Sequence, residues 1–142
     1  MQVLCCYLVF EYYKQEDSSI LPYLKSVPLQ YDNIVNWTEE DLEYLPNFVY
    51  KKAKQLNRAV AESYEDIQKF VCYVYKEDET LINSMNYESY LWAWNTVNTR
   101  CVYMKQTDHP LLTDDENSYA LAPFLDMLNH SGDVQVTCLM LF

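Results

Sequence analysis

The sequence predicts a mainly α chain that ends in a short β segment. Three observations carry that prediction: apolar residues recur at helical spacing from Val49 to Val74, one glycine (Gly132) stands among 142 residues, and Val134 to Cys138 alternates in polarity. Glycine supplies the left-handed dihedrals of tight hairpins and the close backbone approach that phosphate groups need. Its near absence argues against an all-β fold and excludes a P-loop or a dinucleotide fingerprint, each of which requires several glycines. Half of the residues are hydrophobic and 15% are aromatic. That is enough apolar surface for one domain's core, so the net charge of -11 does not signal a disordered tail.

Taken in order, Val3 to Lys14 reads as a helix with Val3, Tyr7 and Phe10 on one face. Glu16 to Ser19 is a polar break, and Pro22 and Pro28 bracket a short segment, Tyr23 to Val27. Residues 29–38 read as a loop ending at Thr38, a good N-cap for Glu39 to Leu45, whose acidic first turn suits the helix dipole. Val49, Ala53, Leu56, Val60, Tyr64, Ile67, Val71 and Val74 then form one stripe of a long helix over residues 47–76. At ~1.5 Å per residue it would span ~45 Å, too long for so small a core unless it bends or breaks. Lys76 to Thr80 reads as exposed, charged chain. Asn86 caps a further helix, Tyr87 to Thr99, with Tyr90, Leu91, Trp94 and Val97 on one face. Beyond Arg100 comes an acidic loop around Asp114 to Glu116. An apolar run from Ala120 follows, interrupted by Asp126, Asn129 and His130, and then the strand at Val134.

Charge and cysteine content narrow the function classes. Lys51, Lys52, Lys54 and Arg58 cluster on one helix, but Glu62, Glu65 and Asp66 follow within two turns. That pattern suits a solvated face better than a nucleic-acid stripe, and an acidic surface favours cationic protein partners. Cys5, Cys6, Cys72, Cys101 and Cys138 make neither a disulfide framework nor, with His109 and His130, a metal-ligand spacing; they read as buried apolar fillers in a reducing compartment. His109 reads as surface. No apolar run is long enough to span a membrane, and the apolar start lacks the basic flank of a signal peptide. A cytoplasmic or nuclear protein is expected.

The interruption near the carboxyl end carries the chemistry. Polar groups in a buried run must be hydrogen-bonded or cost about 1–3 kcal/mol each. Asp126, Asn129 and His130 therefore form either a structural turn that satisfies backbone groups or a polar lip presented to a ligand.

Trp94-Asn95-Thr96-Val97-Asn98-Thr99-Arg100, followed by Leu121 to Ser131 with its Asp126-Met127-Leu128-Asn129-His130 core, resembles the SET-domain protein methyltransferases. The likeness is to the branch of Rubisco large-subunit methyltransferase and SET domain-containing protein 4. Ser18 to Pro28 and Trp37 to Leu45 resemble two upstream elements of the same branch. The resemblance implies a partial SET domain over residues 1–142, with a helical insert at 20–100 and part of the SET core, including the Asn-His motif, at 101–142. It implies transfer of a methyl group from S-adenosyl-L-methionine to a lysine-bearing protein, histones among the candidates, with no nucleic acid or membrane engaged directly. Arg100, Asn129 and His130 match cofactor-contacting positions, and Asp126 matches a substrate-side position. No residue matches a catalytic position. The family's glycine-containing cofactor segment and its active-site tyrosine have no counterpart here. The chain is therefore expected to be truncated at both ends and inactive or incomplete as it stands. The alternative expectation is a non-catalytic helical module that binds partners through its acidic surface.

Overall fold

Two helices that lie side by side organise the molecule. In the computed structural model, which describes residues 1–105, 117–128 and 131–133, α1 (Gln2–Tyr13) packs along α6 (Tyr87–Arg100). Between them in sequence come α2 (Leu21–Leu24), α3 (Glu39–Glu43), α4 (Asn47–Val74) and α5 (Glu79–Ser84), with 3-10 turns at Gln15–Asp17 and Ile34–Asn36. The core gathers Cys5, Leu8 and Val9 of α1, Val60 and Val71 of α4, and Tyr90, Ala93 and Val97 of α6. The architecture is mainly α, as the sequence predicts.

Helix α1 buries a face other than the expected one. Cys5, Cys6, Leu8 and Val9 are inside, whereas Val3 is 76% exposed and Tyr7 43%. Nearly every position from Val3 to Phe10 is apolar, so spacing alone cannot choose a face; the fit against α6 does. Glu11, 4% exposed, is buried on the same helix. Lys14 donates to one of its carboxylate oxygens, and the Ser18 hydroxyl donates to the other at 2.7 Å. These bonds hold the chain reversal after α1, where Gln15 adopts a left-handed φ of 50°.

Helix α4 runs unbroken through its 28 residues, about 42 Å at the standard rise. The core takes only part of the predicted stripe: Ala53, Val60, Ile67 and Val71 are buried, while Val49, Leu56 and Val74 are exposed. The length conflict is thus resolved by letting the helix outrun the core. Its basic cluster is a solvated face in which Lys54 pairs with Glu39 at 2.6 Å and Arg58 with Glu62 at 2.8 Å.

Caps follow the sequence closely. Thr38 accepts the Asp41 N–H at 3.2 Å while the Asp41 carboxylate accepts the Thr38 N–H, a reciprocal capping box. Asn86 accepts the Ser89 N–H at 2.9 Å. Helix α5 was not expected, because Lys76 to Thr80 reads as solvated chain. The missed signal is Asp78, whose side chain accepts the Leu81 N–H at 3.0 Å and starts the helix.

Strand β1 (Cys101–Lys105) leaves α6 with no intervening residue and pairs antiparallel with β2 (Asn117–Leu121), Cys101 opposite Leu121. This hairpin was not foreseen. The predicted strand at Val134 to Cys138 and His109 lie outside the described residues. The cysteines divide rather than share one fate: burial pushes the Cys5 thiol up to about 12 and Cys6 to about 11, Cys101 is half-buried, and Cys72 is exposed. The expectation that all are buried fillers fails at Cys72, and Cys138 lies outside the described residues. Among the described residues, no helix is long and apolar enough to cross a membrane.

Two predictions follow from this packing. Leu8→Ala should destabilise the fold by about 2–5 kcal/mol, whereas Val3→Ala should change stability by less than ~0.5 kcal/mol; urea titration separates them, and equal losses would restore the face read from the sequence. For Glu11, hydrogen bonds from Lys14 and Ser18 outweigh burial and hold the carboxyl below its ordinary value of 4.5. Its contribution to stability is therefore complete above that pH and is lost as pH falls below it. Glu11→Gln should flatten the acid limb of the thermal-melting profile.

Candidate functional site

The end of α6 and the turn after β2 converge although 26 residues separate them. Arg100, the last residue of α6, reaches Asp126 with its terminal Nη1 3.3 Å from Oδ2. The Asp126 side chain is 3% exposed and that of Arg100 20%. The hairpin produces the encounter: β1 and β2 carry the chain out and back, and residues 122–126 then turn sharply, the Leu125 and Asp126 N–H groups both donating to the Ala122 carbonyl. Pro123 has no N–H to offer this turn. Phe124 sits at φ 77°, a left-handed backbone that bulky residues rarely adopt, with its side chain 82% exposed.

The Tyr23 hydroxyl donates to the same Asp126 oxygen at 2.9 Å, tying α2 to the turn. Burial first, and then this hydrogen bond to a carboxylate, drives the Tyr23 phenol well above its ordinary value, so it stays a donor. On the other side, burial disfavours the Arg100 charge, but Tyr31 and Asp126 more than offset it and hold the guanidinium above its usual range. Tyr31 is itself fixed by a 2.9 Å bond between its hydroxyl and that of Thr96. One turn earlier on α6, Asn95 accepts from the Asn33 amide and donates to Asn36 at 3.1 Å, while Asn36 bonds the Tyr31 carbonyl. A continuous polar seam thus follows the buried side of α6 to Arg100.

Of the residues picked from the sequence, Arg100 and Asp126 are brought together, and Asn129 and His130 lie outside the described residues. Sequence reasoning missed Tyr23, Tyr31, Asn95 and Thr96. Tyr23 and Tyr31 carry no local signal of this role, since their partners lie 103 and 65 residues away in the chain. The signal that could have found the other two is the polar pair Asn95-Thr96 inside a helix whose neighbours Trp94 and Val97 belong to the core. Asp126 Oδ1 and Arg100 Nε are buried and have no hydrogen-bond partner among the described residues. Chemically, this leaves one acceptor and one donor on two side chains of opposite charge. No cluster of side chains suited to a metal ion occurs among the described residues.

The chain is homologous to one segment of the SET-domain methyltransferases. It is 35% identical over 134 residues to "SET domain-containing protein 4" of Homo sapiens and 34% identical over 134 residues to that of Mus musculus. Each alignment takes in 94% of this chain and 30% of the relative. It is also 28% identical over 124 residues to the "Actin-histidine N-methyltransferase" of Homo sapiens, covering 82% of this chain and 19% of that protein. The chain thus spans less than a third of the length of these curated relatives. No protein-family model and no solved structure matches it.

Removing one member of a buried ion pair leaves the other uncompensated. Asp126→Ala should destabilise the fold by about 3 kcal/mol, at the lower end for buried pairs because Arg100 is partly exposed. The double variant Arg100→Met, Asp126→Ala should recover part of that loss. A double-mutant cycle by urea unfolding measures the coupling, and additive losses would mean that the pair contributes nothing.

Proposed function

We propose that this chain forms part of an S-adenosyl-L-methionine-dependent protein methyltransferase. The observation that carries the reading is the buried meeting of Arg100 with Asp126, two residues of separate motif segments. Arg100 would contribute, with Asn129 and His130, to holding the cofactor, and Asp126 would stand on the substrate side. The donor set fits the cofactor's amino-acid end, which bears a carboxylate and an ammonium. The unpartnered Nε of Arg100 suits the carboxylate, while the unpartnered Oδ1 of Asp126 is left to face a substrate amine.

The cofactor, when bound, supplies a methyl group on a positively charged sulfur for transfer to a nucleophilic amine. The work left to the chain's own residues is positioning. Arg100 is permanently charged and braced by Asp126 and Tyr31, so it orients an anion without reorganising. Tyr23 holds the same Asp126 oxygen that Arg100 reaches, which leaves Oδ1 as the open acceptor. The proposed acceptor is a lysine ε-amine on a protein, histones among the candidates, in the cytoplasm or nucleus. Desolvation beside aromatic walls would lower the pKa of that amine and free its lone pair. Names of relatives support methylation of protein side chains, since one set is named for actin histidine.

Because the chain corresponds to less than a third of those relatives, it is assigned part of a cofactor site and no turnover of its own. Calorimetric titration with S-adenosyl-L-methionine should give a dissociation constant weaker than about 10 μM (~-7 kcal/mol). Arg100→Met, with its cooperative melt retained, should weaken binding further by at least about tenfold, the scale of a lost charged hydrogen bond. Tighter binding by the unmodified chain would overturn the assignment of a partial site. Affinity unchanged in Arg100→Met would overturn the role of Arg100.

A further inference from the structure

A second candidate site lies on the opposite part of α6 from the ion pair. Two adjoining cavities, of about 270 and 260 Å³, share Leu29, Glu88 and Trp92 in their walls. The first is walled by three rings in series. Tyr13 meets Tyr12 edge-on with centroids 6.2 Å apart, and Tyr12 meets Trp92 at 5.1 Å. Trp92 is anchored because its indole N–H donates to the Pro28 carbonyl at 2.9 Å, so the ring is held rather than free to fill the space. Tyr12 and Tyr13 are 38% and 45% exposed. Among the described residues Glu88 is the one charged residue in either wall, and Lys14, beside Tyr13 in sequence, is turned to Glu11.

We propose that this groove docks a basic segment of a protein partner, with a lysine or arginine side chain lying against the wall formed by the Tyr12, Tyr13 and Trp92 rings and its charge directed to Glu88. Ring faces attract cations through their quadrupole, and the attraction strengthens where water is partly excluded. A carboxylate with no competing cation in the walls sets the sign of the guest, and the chain's net charge of -11 draws such a guest in from a distance. The first cavity, at about 270 Å³, has room for one long side chain. The adjoining cavity, bordered by Tyr31 and Asn36, continues the groove for the flanking residues of the segment. This inference is independent of the methyltransferase reading, since it needs no cofactor.

The test titrates the full 142-residue chain, without cofactor, with a short glutamine-rich peptide bearing two lysines, and with the same peptide carrying glutamine at both positions. NMR follows the indole N–H signals. The lysine peptide should shift the Trp92 signal and leave that of Trp37, which is bonded to Asp32, unmoved. Glu88→Gln and Tyr13→Ala, both at exposed positions, should each weaken binding about threefold or more, and added salt should weaken it further. Glu65→Gln, an exposed acid on α4, should leave affinity unchanged. The proposal is overturned if Trp92 does not respond, if the glutamine peptide binds equally well, or if Glu65→Gln costs as much affinity as Glu88→Gln.

Discussion

Helix α6 is enclosed on two sides, and the rest of the fold depends on its satisfying both. Toward α1 it offers Tyr90, Ala93 and Val97, each fully buried. Toward the loop before α3 it offers Asn95 and Thr96, buried just as completely. A helix hydrophobic all round could have met the first demand, but it would have left the Tyr31 hydroxyl and the Asn33 and Asn36 side-chain amides without these partners at a cost of about 1–3 kcal/mol each. The loop 29–36 has almost no regular structure of its own. It is ordered by side-chain bonds to α6: Tyr31 to Thr96, Asn33 and Asn36 to Asn95.

That division of labour explains how Arg100 can be charged and largely enclosed. Its support comes from two sides, the turn after β2 through Asp126, which Tyr23 of α2 holds in turn, and the loop through Tyr31. Asp126 would not reach it without the hairpin that returns the chain to the end of α6. Tertiary packing also settles what spacing leaves open elsewhere. In α1 the choice among many apolar faces is made by contact with α6, and in α4 the core accepts the middle of a stripe and leaves its ends in solvent.

Much of the helical framework was legible in the residues. Asn86 and Thr38 announced their helices because capping is local chemistry, readable over four positions. The stripe of α4 was legible because its polar and apolar residues alternate with a helical period. Helix α5 was not, since six residues carry too little periodicity to stand out from a charged loop. The β1–β2 pairing was hidden for a different reason: Cys101 to Lys105 has no clear alternation, and pairing partners 12 or more residues away leave no local mark. At the candidate site, Arg100 and Asp126 were legible through family resemblance. Their union, and the tyrosines that brace it, depended on the path of the chain between them.

The junction of α6 with β1 contains no linker: Arg100 ends the helix and Cys101 already has extended dihedrals. Trp92 stands eight positions before Arg100, about 12 Å along the same helix axis. The helix therefore acts as a single stiff axle with an aromatic socket near one end and a guanidinium at the other. Any load that tilts the axle at Trp92 must be felt by the hairpin, because nothing between them can absorb it.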